Sequence, residues 1–378
     1  MGGNSRSIRI GETEISDDSI CYVIAEVGHN HQGSLEQCKR MFDEARRCGA
    51  DAVKLQKRDN RSLYTAAFFN KPYDNPNSFG PTYGEHREAL EFGYSEYFEL
   101  REYAREIGLC FFATAFDVPS AEFLAELDMP AYKTASADIT NLPLIRRVAA
   151  IGRPMIISTG GSEMDDVRRA YEAAAELNDQ IAVLQCTAGY PAAWEELDLR
   201  VIETFRAQFP GSVVGLSSHD NGIAMPVVAY TLGARIVEKH FTLDRAMRGS
   251  DHAFSLEPQG MRKMVRDLRR AHVALGSREK RRHESEVKPI LKMAKKLVAA
   301  RDIPAGHVLG VDDLASKSPA DGIPPSRIDD FIGCALNQPL ARDATLSEDH
   351  VGERRLAKAT AVPGGNGKRR DRVVARGR

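Results

Sequence analysis

The 378-residue chain has no CxxC pair, no apolar run near the roughly 20 residues of a membrane span, and no GxGxxG turn after any apolar segment. Its six cysteines, Cys21, Cys38, Cys48, Cys110, Cys186 and Cys334, are scattered. That spacing excludes a zinc knuckle or disulfide framework and leaves reduced, mostly buried thiols. The opening residues MGGNSRSIRIGETEIS lack the apolar core of a secretion signal, so a cytoplasmic protein with no membrane partner is expected. The missing glycine fingerprint argues against a doubly wound dinucleotide-binding sheet.

An excess of either sign of charge is also missing overall, with 52 Lys or Arg against 53 Asp or Glu and a formal net charge of −1. Residues 354–378, however, carry nine Lys or Arg against one acid, +8 in all, which leaves about −9 for the remainder. This basic segment has no aromatic residue and little apolar periodicity, so it reads as a solvated, disordered tail, and nucleic acid is not an expected partner. The 42% apolar and 28% charged composition is that of a globular protein, and the length suggests one large domain plus a small one.

What the chain does contain is an alternation. Eight short apolar runs occur at 20–28, 51–57, 109–116, 130–136, 154–160, 181–187, 212–218 and 234–241, with amphipathic stretches between them. Their near-continuous Val, Ile, Leu and aromatic content suits strands buried on both faces. Ser34 with Gln37 forms a capping-box signature before a helix that stops at Gly49, and Ser162 and Asp165 open another with Met164, Val167, Tyr171 and Ala174 on one stripe. Eight strands alternating with helices over about 250 residues is the pattern of an α/β (β/α)8 TIM barrel. Residues 58–95, rich in Asn, Pro, Gly and Tyr, read as a long loop over one rim. After the barrel (1–280) and a charged linker (281–294), short strands and a DIPAG turn indicate a small β-rich domain at 295–353.

In a parallel barrel the functional face lies at the carboxyl ends of the strands. Those ends are polar here: Glu26; Lys54 and Gln56; Thr114; Lys133, Ser136 and Asp138; Ser158 and Thr159; Thr187 and Tyr190; Ser217, Ser218 and His219; Glu238, Lys239 and His240. Either lysine alone reads as a salt bridge. Together with Thr114, Ser136, Ser158 and Ser217 on different strands, they suggest an anion site. His219 and His240 on neighbouring strands, with Glu26, Asp138 and Asp251 nearby, suit a divalent cation. His29 and His31 in GHNHQG are weaker candidates, since loop histidines there can cap the first helix.

The ordered strings EVGHNHQGS, VKLQK, YKTASADITNLPLI, PMIISTG, LQCTAGYP, GLSSHD and VEKHFT resemble the sialic acid synthase family (N-acetylneuraminate synthase, N-acylneuraminate-9-phosphate synthase and relatives) over roughly residues 8–353. The resemblance implies a barrel followed by an antifreeze-like SAF domain. It implies a transferase that condenses phosphoenolpyruvate with an N-acylhexosamine, N-acetylmannosamine or its 6-phosphate, to a nine-carbon 2-keto acid and phosphate. By the same resemblance His219 and His240 hold a divalent metal, manganese ahead of magnesium or cobalt. Lys54, Thr114, Lys133, Ser136, Ser158 and Ser217 would receive phosphoenolpyruvate, while Glu26, Gln56, Asp138, Tyr190 and Asp251 face the sugar or the reacting centre. Glu26, Lys54 and Lys133 are the expected catalytic groups. A domain-swapped homodimer is implied as well.

Two positions depart from the family pattern: Ala188 where an Asn is common, and Ser318 where the SAF domain often has an Arg. Both, with the insertion carrying YGEH (83–86), resemble the animal branch, whose acceptor is phosphorylated. Arg58, Arg61, Lys71, His86 and Arg87 of the insertion are then candidates to meet that phosphate, against the plainer reading of solvated surface charge. Two alternatives stand beside the synthase: a Schiff-base aldolase on Lys133 needing no metal, and a non-catalytic carbohydrate-binding protein.

Overall fold

The computed structural model describes residues 6–352; the basic segment 354–378 lies outside them. The chain divides into two compact units, Met1–Gly276 and the part that begins at Ser277. Among the described residues no helix is long and apolar enough to cross a membrane.

The first unit opens on a hairpin that the apolar-run pattern did not reveal, β1 (Ser7–Ile10) antiparallel to β2 (Thr13–Ser16). Its strands are only four residues each, but the alternation is real: Ile8, Ile10 and Ile15 are buried. Asp17, just after it, pairs with Arg206, and its carbonyl accepts from Arg235, which precedes the last barrel strand. The hairpin therefore packs at the amino-terminal end of the strands, away from the polar ends described above.

The eight expected strands form one closed barrel. They are β3 (Tyr22–Gly28), β4 (Ala52–Lys57), β5 (Cys110–Ala115), β6 (Tyr132–Thr134), β7 (Met155–Ser158), β8 (Ile181–Cys186), β9 (Val213–Ser218) and β10 (Ile236–His240), all parallel, with β10 closing on β3. Each was anticipated within a few residues, because strands buried on both faces must be apolar throughout. Side chains alternate between the barrel interior and the helix layer. At β10, Glu238 and His240 face inward, while Lys239 points outward and is buried against Asp220, its Nζ 2.8 Å from Oδ1. Gly215 of β9 has to lack a side chain: a Cβ there would sit 2.4 Å from Leu184 Cδ2 and 2.5 Å from the Ile236 carbonyl.

Local signals at the helices were partly right. The helix Leu35–Cys48 is capped by Ser34, which accepts from the Gln37 amide, and Gly49 ends it at φ +84°. Gln37 does not complete a capping box; its side chain donates to the Asn30 carbonyl at 2.8 Å. The helix Met164–Ala175 starts on Glu163, whose box with Asp166 replaces the expected Ser162 cap, because the Ser162 hydroxyl donates to the Thr159 carbonyl. The segment 58–95 is not a bare loop. It contains the short helices Asn60–Leu63, Ala66–Phe69 and Tyr83–Glu88, the last with a Thr82/Glu85 capping box.

In the second unit β11 (Lys296–Ala299) pairs antiparallel with β12 (Leu314–Lys317) over a small core including Leu297, Ile303, Leu309, Phe331, Leu336 and Leu340. The expected linker stretch carries the helix Glu284–Met293.

Candidate active site

The carboxyl ends of the barrel strands enclose one cavity of about 780 Å³. Glu26, Lys54, Gln56, Thr114, Lys133, Ser136, Ser158, Tyr190, Ser217, His219, His240 and Asp251 all line it. Asp138 does not. It is buried in the turn after β6, where its Oδ1 accepts from Asn141 at 3.2 Å, and burial pushes its carboxyl up.

The floor is a buried charge network assembled by barrel closure. Lys54 Nζ lies 2.5 Å from Glu26 Oε2 and donates to Thr114 Oγ1 at 2.7 Å. Lys133 Nζ lies 2.5 Å from Glu238 Oε1, which also accepts from Ser217 at 3.3 Å and stands 3.7 Å from Lys54. Gln56 Nε2 donates to Glu26 Oε1 at 2.7 Å. Two carboxylates and two ammonium groups balance, all nearly inaccessible to solvent. Burial raises the Glu26 pKa despite Lys54. At Glu238 burial is outweighed by Lys133 and Lys54, which pull its carboxyl to about 2. Lys133 is conversely pushed up, because Glu238 and Glu26 outweigh burial, and it stays charged. Glu238 was present among the strand ends but was not singled out as a site residue. Its position two before His240 puts it on the same inward face, a signal the strand period carries.

On the β7 side, the Ser136 hydroxyl accepts from the Gly160 amide at 2.9 Å, and Ser158 Oγ is buried with no partner. Gly160 lines the cavity, and a Cβ there would approach Ala188 N and Ser136 Oγ to 3.0 Å, so the strand end packs too closely for a side chain. Ser318, in the second unit, donates to the Met293 carbonyl at 3.0 Å and accepts from Lys295 at 2.6 Å.

The two imidazoles face each other with ring centroids 5.3 Å apart, flanked by Tyr190 over His219 at 4.2 Å and Phe254 edge-on to His240 at 4.9 Å. His219 Nδ1 lies 2.8 Å from the Thr187 carbonyl, which fixes the proton on Nδ1 and leaves Nε2 with its lone pair. His240 Nδ1 is buried with no hydrogen-bond partner, 3.8 Å from Asp251 Oδ2. Burial pulls the His240 pKa to about 3, so the ring is neutral and able to ligate. At His219 burial is outweighed by the Cys186 thiol and the Thr187 carbonyl, so a cation would compete with a proton there. Among the described residues no group of three or more His, Cys, Asp or Glu side chains is arranged to hold a metal ion. The pair by itself offers two imidazole nitrogens, so any cation held there would take its remaining ligands from water or substrate.

His29 and His31 do not cap the first helix. His31 stacks on Phe92 and accepts from the Gly33 amide at 3.1 Å, while His29 sits between Arg58 and Arg87.

With this geometry in hand, the comparison with known proteins is direct. The sequence profile of the NeuB family matches residues 41–280 and that of the SAF domain residues 296–352. The chain belongs to the NeuB family. Among NeuB relatives, it is 40% identical to N-acetylneuraminate-9-phosphate synthase of Homo sapiens over 88% of this chain and 92% of that protein. It is 33% identical to N,N'-diacetyllegionaminic acid synthase of Legionella pneumophila over 92% and 99%. A solved NeuB-like neighbour, the N-acetylneuraminic acid synthetase of Leptospira borgpetersenii in complex with citrate, superposes with a TM-score of 0.66 at 30% identity, covering 76% of this chain and 95% of that one.

Proposed function

We propose that the chain is a phosphoenolpyruvate-dependent synthase that joins phosphoenolpyruvate to the aldehyde form of an N-acylhexosamine, giving a nine-carbon 2-keto sugar acid and phosphate. The observation that carries this reading is the junction, in one cavity of a NeuB chain, of the Lys54/Lys133 floor with the His219/His240 pair on adjacent strands.

Phosphoenolpyruvate lies, in this reading, over the lysines. An ammonium offers three donors, and Lys133 spends one on Glu238, which leaves two for the carboxylate or phosphate. The Ser136, Ser158 and Ser217 hydroxyls and Thr114 add directional partners, and the unpartnered Ser158 Oγ is free to donate. C3 of the enol phosphate attacks the aldehyde carbon and the aldehyde oxygen takes a proton; water then adds at C2 with loss of a proton, and the adduct collapses to the ketone as its hydroxyl proton leaves and the C2–O bond to phosphate breaks. Glu26 and Glu238 supply negative charge beside C2 as it becomes cationic, and Gln56 holds the Glu26 carboxylate in place. A divalent cation, manganese ahead of magnesium or cobalt, would be held by His219 and His240 and would supply Lewis-acid polarisation of the aldehyde oxygen. Asp251 and Tyr190 border the same corner and orient the sugar.

A Schiff base at Lys133 is disfavoured, since it needs an unprotonated amine and Glu238 at 2.5 Å holds the ammonium. The deciding assay measures phosphoenolpyruvate consumption and keto-acid formation over a panel of N-acylhexosamines, with and without chelator. Turnover that needs both substrates and is abolished by chelation is expected. No consumption with any aldehyde would leave only the carbohydrate-binding alternative. Assembly as a homodimer belongs to the same proposal, and a monomeric mass by light scattering at assay concentration would remove it.

A further inference from the structure

The pairing of β9 with β10 ends on the rung Ser218–Lys239. His219 and His240, one residue further on, lie beyond the ladder, and each is anchored away from the other. The His219 ring meets the Thr187 carbonyl, and its own carbonyl accepts from the Ala192 amide at 3.2 Å, both on the β8 side. His240 pairs with Glu26 of β3, and its carbonyl accepts from the Leu256 amide at 2.8 Å. Without a further tie the two imidazoles would stand on opposite sides of an open seam.

The residues next to the histidines supply that tie. Lys239 Nζ donates to the Asp220 carbonyl at 2.5 Å and to Asp220 Oδ1 at 2.8 Å, and the same Oδ1 accepts from the Ser218 hydroxyl. Asp220 directly follows His219 and Lys239 directly precedes His240, so one ammonium joins the two histidine-bearing segments. Both side chains are 1% exposed, and neither lines the cavity. Arg245 also reaches Asn221 across this seam, at 3.3 Å, but that contact is exposed and water competes for it. The ion pair sits on the helix-facing side of the barrel, where Val214 and Leu216 of β9 and Val237 of β10 are apolar and buried. In such a layer an ion pair adds little net stability, because desolvation offsets the attraction and well-packed apolar side chains do as well. Apolar contacts are non-directional, however, whereas an ammonium bonded to two acceptors of one residue fixes where that residue stands.

We propose that Asp220 and Lys239 are positioning residues, a brace on the outer face of the barrel that holds the His219 and His240 imidazoles at the mutual spacing a divalent cation needs. The inference rests on the histidine pair as the cation site of the function proposed above, and the experiment separates the two. The full-length wild type, Lys239→Met, Asp220→Asn and the double variant are titrated by calorimetry with manganese chloride and with phosphoenolpyruvate, well below their melting temperatures. The same proteins, free of metal, are treated with diethyl pyrocarbonate, and the labelling rate of each histidine is read by mass spectrometry.

Lys239→Met removes both hydrogen bonds and should weaken manganese binding about tenfold or more, as loss of a residue that orients metal ligands does, while the phosphoenolpyruvate Kd stays within about twofold. Asp220→Asn keeps both acceptors and should lose less. His219 and His240, 6% and 7% exposed, should label about fivefold faster in Lys239→Met as their segments open locally, with His29 and His31 unchanged. The double variant buries no unpaired charge and carries the test if Lys239→Met does not fold. A manganese Kd unchanged in Lys239→Met overturns the brace, as does unchanged labelling of His219 and His240. Parallel losses for both ligands, or faster labelling of all four histidines, would mark general loosening and overturn it too. If the wild type binds no manganese the cation site fails, and if it binds no phosphoenolpyruvate the condensation fails. In either case the labelling arm, with His29 and His31 as its controls, decides whether the brace holds the two rings.

Discussion

Replacing Glu238 by Gln tests the buried network directly. The change keeps the shape of the side chain and removes the charge 2.5 Å from Lys133 and 3.7 Å from Lys54. At an effective dielectric of about 20, the lost attraction to Lys133 alone is about 7 kcal/mol gross. Desolvation of both partners offsets part of it, and breaking one side of a buried pair costs about 3–5 kcal/mol in practice. The network then carries an uncompensated positive charge, because Glu26 is already committed to Lys54. We expect a loss of about 4 kcal/mol for Glu238→Gln and a similar loss for Lys133→Met. The double variant restores neutrality, so it should lose at least about 2 kcal/mol less than the sum of the single changes. Urea unfolding of the full chain, followed by circular dichroism, measures all three. Additive losses within about 0.5 kcal/mol would show that the two groups do not stabilise each other and would refute the reasoning.

Other perturbations follow from the same geometry. His31, pulled to about 3 by burial and by His29, binds a proton more readily when unfolded, so stability falls as pH drops below about 6.5, by about 2 kcal/mol at pH 5. His31→Phe keeps the stacking on Phe92 and should flatten that dependence in urea titrations at pH 7 and 5; an unchanged slope would contradict the assignment. Gly33 combines φ +74° with a Cβ position 2.4 Å from the Ala89 carbonyl, so Gly33→Ala should cost about 3 kcal/mol and loosen the insertion that carries Arg87, whereas a melting temperature equal to wild type would show no such clash. His219→Ala and His240→Ala should each weaken manganese binding at least about tenfold by calorimetry, and an unaltered Kd in both would remove the histidine pair as the metal site.

Much of this molecule was legible because barrel strands are buried on both faces. Their apolar runs stand out, and the polar residues that end them mark the functional rim, which is how Lys54, Lys133, His219 and His240 could be read together. The hairpin Ser7–Ser16 escaped because its two strands are too short for periodicity to register. The insertion 58–95 looked like a loop because helices of four to six residues leave no amphipathic stripe.

The sequence alone determined the order of elements, the rim that carries chemistry, and a family resemblance through its ordered motifs. Those are local properties, set by side-chain period and turn residues. Only the tertiary structure decided which charges neutralise each other. Lys133 meets Glu238 across 105 positions of chain, and His29 meets Arg58 and Arg87 across 29 and 58. Such partners are chosen by barrel closure and by where the insertion folds back, and no spacing rule along the chain records them. Burial and the partners it brought together then gave each group its charge state: Glu238 ionised by Lys133 and Lys54, His240 and His29 neutral.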